Sequence, residues 1–319
     1  MKKILVLNEF SEENKARIRT AAQGADVRFL TPGEVDAAMI ADAEIVVGPP
    51  PKPLLPEAKS LKYVQLCSAG ADAYIGKGVL PEDVTLCNAT GAYGHAVSEH
   101  LFAGILMVTK KLHLYRDAQH SHAWGSLGGV PALTSLTALI IGPGDIGGRL
   151  ARLLRGVGMR ILCVRRTVAE KPDFADEVYT SDQLLEILPQ ADIVAMAVPG
   201  SPSTYHMISD KQFAAMKRGV ILANAGRGSA IDPDALVKAV DEGIVGAAFL
   251  DVTEPEPLPK DHPLWDKPAV AITPHISGGY HMPETQDTLT GIVADNLARY
   301  LSGAPLANVV DRETGYRRK

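Results

Sequence analysis

The sequence predicts an α/β protein built from two doubly wound parallel-sheet domains, and three observations carry that prediction. Short apolar runs rich in branched residues alternate with helical stretches from the N-terminus to about residue 90, the pattern of a parallel sheet covered on both faces. The apolar run Leu139-Ile140-Ile141 then breaks into Gly142-Pro143-Gly144-Asp145-Ile146-Gly147-Gly148 and resumes as Arg149-Leu150-Ala151-Arg152-Leu153-Leu154, which reads as strand, tight turn and helix start. A second series of strand-like runs follows as far as Thr273, and 319 residues exceed one ordinary core.

In chain order, Lys3 to Leu7, Asp26 to Leu30, Glu44 to Val47, Tyr63 to Leu66 and Val84 to Cys87 read as strands, being short and bounded by Gly, Pro or Asp. Ser11 to Gln23 and Gly33 to Ala41 carry apolar residues at helical spacing. Pro49-Pro50-Pro51-Lys52-Pro53 fits neither helix nor central strand and is an exposed turn. His95 to Val108 is apolar on nearly every side, so it predicts a helix buried between layers. Arg116 to Gly129, with Trp124 and three glycines, reads as a loop or arm. Later strands are expected at Arg160 to Val164, Ile193 to Val198, Val220 to Asn224, Ala247 to Asp251 and Val270 to Thr273. With the strand before Gly142 these make six, the number in a full Rossmann sheet. Gln286 to Leu301 forms the last helix, and Ala304 to Asp311 is too short to fold alone and docks back on one of the domains.

Composition narrows the function. With 46% hydrophobic and 22% charged residues and a net charge of −5, the chain has no electrostatic footprint for nucleic acid, which favours a small-molecule partner. The apolar run after Met1-Lys2-Lys3 stops at Asn8, too early for a signal peptide, and no run is long enough to span a membrane, so a cytoplasmic protein is expected. Cys67, Cys87 and Cys163 show no C-x-x-C spacing and read as buried, reduced thiols. His120 and His122 are too close for a helical metal pair, and no metal site is expected. His95 and His100 are assigned to packing or to the neighbourhood of a cofactor rather than to catalysis.

Gly142, Gly144 and Gly147 have the G-x-G-x-x-G spacing, which gives a tight turn, a close approach to a pyrophosphate and close helix–strand packing. Among 29 glycines a plain turn competes with that reading, and the flanking strand, helix and second strand decide for a dinucleotide. The second strand ends in Arg165-Arg166-Thr167, with no carboxylate before Glu170. A guanidinium fork suits a 2′-phosphate, so NADP(H) is expected over NAD(H), a solvated turn being the other reading of the two arginines.

Ligands of open α/β sheets collect at the carboxyl ends of strands. There the chain places Asn224-Ala225-Gly226-Arg227-Gly228, Asp251-Val252-Thr253-Glu254-Pro255-Glu256-Pro257 and Thr273-Pro274-His275. Singly, each charged residue there also has a plain reading as a surface, loop or core group. Together an Arg, a Glu and a His provide a carboxylate clamp, a partner for an imidazole and a proton donor for a carbonyl oxygen.

These motifs, with His262-Pro263-Leu264-Trp265 and Asn308-Val309-Val310-Asp311, resemble the D-isomer-specific 2-hydroxyacid dehydrogenase family over nearly the whole chain. The resemblance implies that Arg227 binds the substrate carboxylate and carbonyl, that His275 is the general acid in reduction and base in oxidation, and that Glu256, not Glu254, pairs with it. It also implies that Asp251 contacts the nicotinamide amide, that Val198 and Pro199 flank the cofactor, and that Ser68, Ala69 and Gly70 hold the substrate carboxylate through backbone N–H groups. The implied architecture is a Rossmann cofactor domain, at 100–284, and a discontinuous flavodoxin-like substrate domain, at 1–99 and 285–319, with a cleft between them and a homodimer formed largely through the cofactor domains. Arg165 departs from the acidic residue common in NAD-preferring members, and Tyr280-His281-Met282 fits no family pattern and is assigned to the substrate pocket. Glu256 stands where the family's formate dehydrogenases carry Gln, which disfavours that chemistry. The function expected is an NADP(H)-preferring reductase of a small 2-oxo acid, of the glyoxylate or hydroxypyruvate type. Two other readings fit the same residues: a dinucleotide-sensing, corepressor-like regulator, and a dehydrogenase of another anion such as a phosphonate.

Overall fold

The computed structural model describes residues 1–167, 170–279 and 282–318. The chain forms two compact units, Met1–Tyr93 with Tyr280–Lys319, and Gly94–Gly279. The first contains β1 (Lys3–Val6), α1 (Glu12–Ala21), β2 (Asp26–Phe29), α2 (Ala37–Asp42), β3 (Ile45–Val47), β4 (Tyr63–Gln65) and β5 (Thr85–Cys87). The second contains α3 (Gly94–Thr109), α4 (Leu112–His120), β6 (Thr137–Ile141), α5 (Asp145–Gly156), β7 (Arg160–Arg165), β8 (Glu177–Thr180), α6 (Leu184–Ile187), β9 (Ile193–Met196), α7 (Asp210–Ala215), β10 (Val220–Asn224), α8 (Pro233–Asp241), β11 (Val245–Leu250) and β12 (Val270–Ile272). The chain then returns to the first unit as α9 (Pro283–Ser302).

The first unit is a parallel sheet in the order β2-β1-β3-β4-β5, the flavodoxin-like order. Its central strands are buried along their length, as strands covered on both faces must be: Ile4, Val6, Ile45, Val46, Val47, Tyr63 and Val64 are fully inaccessible. α1 starts where the Ser11 hydroxyl accepts the Asn14 N–H (3.2 Å), with Glu12 and Glu13 in the first turn. The expected helix over Gly33 to Ala41 is divided, because Asp36 accepts the Met39 N–H (2.7 Å) and restarts the chain as α2.

α9 packs on α1 and is fixed from within. The Asn296 amide donates to Gln65 Oε1 (2.8 Å) and to the Ala307 carbonyl (2.9 Å), and its oxygen accepts the Ala307 N–H (2.8 Å). The closing segment then docks beside β5: Val309 bridges Cys87 in antiparallel sense, the Val310 N–H donates to the Leu86 carbonyl (2.8 Å), and Arg312 donates to the carbonyls of Pro81 (2.9 Å) and Val84.

The second unit is a parallel sheet in the order β12-β11-β10-β9-β6-β7-β8. Counted from β6, this is the 3-2-1-4-5-6 order of a dinucleotide-binding sheet with one strand added, and its switch point lies between β6 and β9. The sheet has seven strands where six were expected. The one not expected is β8, which takes the third place in that order, the added strand being β12; it is an edge strand in which every residue of Glu177-Val178-Tyr179-Thr180 is half-buried, so its sequence lacks the apolar run that marks an internal strand. α3 lies on α5, β10 and β11, and Gly104 lets it approach β11, since a Cβ there would stand 2.2 Å from the Phe249 ring. Arg116 to His120, read as loop, is the second half of α4. That helix buries no residue, so no core-facing stripe marked it in the sequence.

The boundaries between the units differ from those expected at 99/100 and 284/285. α3 is one continuous helix from Gly94 that packs within the second unit, so a break after Glu99 would cut it, and the change of unit falls at Tyr93/Gly94 and at Gly279/Tyr280. Cys67, Cys87 and Cys163 are unpaired and buried, and burial pushes each thiol up to about 12. Among the described residues no helix is long and apolar enough to cross a membrane.

Candidate active site

The three glycines of the turn between β6 and α5 have three different tasks. Gly142 adopts φ +87°, where a side chain is strained, and a Cβ on it would lie 2.7 Å from the Ala197 carbonyl at the exit of β9. Gly147 lets α5 close on the turn, because its Cβ would stand 2.3 Å from the Gly142 carbonyl. Gly144 faces open space, with nothing within 4 Å of a Cβ. A turn closed at its two ends and open at the middle glycine, ahead of a helix N-terminus, fits the phosphates of a dinucleotide. Pro143 and Ile146 complete this turn, and the Asp145 carboxylate accepts from Arg149 (3.0 Å) at the start of α5. Val198 and Pro199 leave β9 directly beside it, and Val198 also packs on the next strand's turn, where a Cβ on Gly226 would stand 2.6 Å from its carbonyl.

Arg165 ends β7, and its guanidinium donates to the Glu170 carbonyl (3.4 Å), while its own carbonyl accepts the Ser181 hydroxyl (3.3 Å). Arg166 and Thr167 follow as exposed residues at the same strand end. No acidic side chain stands in Arg165-Arg166-Thr167.

The neighbouring strands β10, β11 and β12 deliver Arg227, Glu256 and His275 on consecutive turns at their carboxyl ends. Asn224, fully buried, braces the first turn by accepting the Gly226 N–H (2.9 Å) and donating to the Arg227 carbonyl (2.9 Å). The Arg227 guanidinium donates to the Gly226 carbonyl (2.9 Å). The first two turns are in close contact, since a Cβ on Gly228 would overlap the Thr253 carbonyl at 1.8 Å.

The last two turns meet through their side chains. His275 Nδ1 lies 2.8 Å from Glu256 Oε1. Glu254 takes a different histidine, His206, at 2.8 Å from its Nε2. His275 has a left-handed backbone (φ 51°), held because its N–H donates to the carbonyls of Asp251 (2.8 Å) and Thr273 (3.0 Å). With Nδ1 engaged by a carboxylate, Nε2 is the ring atom available to a substrate oxygen.

Asp251, expected at the nicotinamide amide, directly follows β11 and is bonded to the turn that carries His275. Its Oδ1 accepts from the Thr273 hydroxyl (2.6 Å) and the Ile276 N–H (3.1 Å), and its Oδ2 from the Ser277 N–H (3.2 Å) and hydroxyl. Asp251 is the hub that shapes the His275 turn. His100, on α3, supports the same hub, with Nε2 3.0 Å from the Thr273 hydroxyl and its ring against Phe249. Ser277 and His206 carry no sequence signal, because their roles consist of contacts with distant residues.

In the first unit, the loop after β4 carries Ser68, Ala69 and Gly70. Asn88 shapes it by donating to the Ala69 carbonyl (2.7 Å), and the Ser68 hydroxyl closes on the Gly70 carbonyl (2.7 Å). Tyr280 and His281, assigned from sequence to the substrate pocket, lie outside the described residues.

Residues 102–277 match the family described as "D-isomer specific 2-hydroxyacid dehydrogenase, NAD binding domain". The glyoxylate reductase of Korarchaeum cryptofilum is 32% identical over 264 residues, which is 80% of this chain and 78% of the relative. A D-isomer specific 2-hydroxyacid dehydrogenase family protein from Aeromonas salmonicida superposes with a TM-score of 0.86 at 32% identity, covering 98% of this chain and 99% of that one. The NADPH-dependent glyoxylate/hydroxypyruvate reductase of Sinorhizobium meliloti, solved with NADP and sulfate, gives a TM-score of 0.84 at 27% identity over 99% of this chain and all of the other.

Proposed function

Since the chain belongs to the D-isomer-specific 2-hydroxyacid dehydrogenase family and is an oxidoreductase, we propose that it reduces small 2-oxo acids of the glyoxylate or hydroxypyruvate type with a preference for NADP(H), and that it works in the cytoplasm. The observation that carries the reading is the 2.8 Å contact between His275 Nδ1 and Glu256 Oε1. A bound nicotinamide supplies the hydride. The protein's part is to protonate the carbonyl oxygen: the Glu256 carboxylate orients the His275 ring through Nδ1, and Nε2–H hands over the proton as negative charge develops on oxygen. Arg227 clamps the substrate carboxylate, and the N–H groups of Ser68, Ala69 and Gly70 are kept as the carboxylate-holding loop that the family resemblance implies. In oxidation the same imidazole accepts the alcohol proton.

The cofactor preference rests on Arg165 and Arg166 standing where an acidic residue would accept a ribose hydroxyl. The Sinorhizobium relative, described as NADPH-dependent, supports it. The test is a panel of 2-oxo acids run with NADPH and with NADH, followed by nicotinamide absorbance. The expected result is the highest kcat/KM for glyoxylate or hydroxypyruvate with NADPH. A clear advantage for NADH overturns the cofactor preference, and turnover of a phosphonate but of no carboxylate overturns the substrate class.

A homodimer is part of the same proposal. α4 buries no residue, and Leu112, Tyr115, Trp124, Leu127 and Val130 are exposed along and beyond it, an apolar strip that a second copy would cover. Light scattering is expected to give twice the chain mass, and Trp124→Ala to weaken the assembly.

A further inference from the structure

We propose that His206 is a positioning residue that holds Glu256 in place against His275, an inference that rests on the acid–base reading above. The Glu254-Pro255-Glu256-Pro257 turn has a particular difficulty: its two prolines have no N–H, so the main chain has little with which to fix the turn. Side chains must anchor it. The Thr253 hydroxyl donates to the Pro255 carbonyl (3.0 Å) within the turn, and the anchor that ties the turn to another element is Glu254, whose Oε2 lies 2.8 Å from His206 Nε2.

His206 is itself tied to rigid parts of the second unit. Its Nδ1 stands 3.4 Å from Asp232 Oδ2, and the other oxygen of Asp232 caps α8 by accepting the N–H groups of Asp234 (3.1 Å) and Ala235 (3.2 Å). The His206 main chain, in the left-handed region at φ 45°, donates to the Ser229 carbonyl (2.8 Å), and Ile208 donates to that of Ala230 (3.1 Å). Both acceptors belong to the turn that follows Arg227. Tyr205 stacks on the imidazole at 4.0 Å and fixes the plane of the ring. One residue thus joins the N-terminus of α8, the Arg227 turn and the Glu256 turn. An ordinary surface ion pair would do no more than add a small increment of stability. This one lies two residues from the carboxylate that must meet His275.

The experiment compares four variants of the full-length enzyme. Glutamine extends a donor to about the Nε2 position, whereas asparagine reaches only that of Nδ1 and loses Glu254. His206→Asn and Glu254→Ala are expected to lower kcat on the order of 10- to 100-fold, as small misplacements of catalytic groups do. The KM for NADPH should stay unchanged, and the pH profile of reduction should shift toward acid in the same direction as in Glu256→Gln. His206→Gln should restore most of kcat. A profile unmoved in His206→Asn while Glu256→Gln moves it, or equal losses in His206→Gln and His206→Asn, overturns the positioning role. A profile unmoved in Glu256→Gln overturns the acid–base reading, and this inference with it.

Discussion

At the residue scale the proposed chemistry depends on one imidazole and one carboxylate. His275→Ala removes only the proton donor, so kcat should fall by about 10²- to 10⁴-fold while NADPH affinity, measured by fluorescence titration, stays intact. Asp176 offers a test of stability against pH. The Ile161 N–H (2.7 Å) and then Arg155 (2.9 Å) hold its carboxyl below the usual range, against the opposing effect of burial. A folded value below the unfolded one means that the stabilisation is complete above the ordinary aspartate range and is lost as pH falls through the folded value. Asp176→Asn should therefore lower Tm by about 2 °C at neutral pH, and the deficit should close on acidification, as read by circular dichroism melts. Arg227, Glu256 and His275 could be singled out in the sequence because each sits in a short motif at a strand end, while their proposed roles, and the choice of Glu256 over Glu254, came from the family resemblance. The bonds that Asp251 makes to Thr273, Ile276 and Ser277 were not legible, because only the fold brings that turn to its oxygens.

At the scale of elements, strands buried on both faces were readable to within a residue or two, because an apolar run bounded by breakers has little else it can be. β8 and α4 escaped because an edge strand and a helix with no buried residue have no such run. The contact between α3 and β11 gives a prediction at this scale. Gly104→Ala places a methyl 2.2 Å from the Phe249 ring and must push the helix off the sheet, a cost of about 1–3 kcal/mol in urea unfolding. Gly156→Ala, at the end of α5 with nothing within 4 Å, should leave stability unchanged or raise it by about 0.5 kcal/mol.

For the whole molecule, the organising fact is that one unit is inserted within the other. The sequence announced the inserted unit through its glycine turn, and its limits were misplaced because Gly94 begins a helix without any break in the apolar pattern. Deleting the chain after Ala304 removes Val310 from the core of the first unit and Arg312 from its carbonyls. The first unit should then melt at lower temperature while the second, which contains the glycine turn, keeps its affinity for NADPH.

The same insertion sets an order of assembly during translation. The five strands of the first unit leave the ribosome ahead of the inserted unit, yet Leu289, Val293 and Leu297, which α9 buries, and the segment that bridges Cys87 emerge after it. The inserted unit is complete once Gly279 has been synthesised. The older half therefore waits, apolar side chains uncovered, while the younger one folds, and that interval is when a nascent chain of this protein most needs a chaperone.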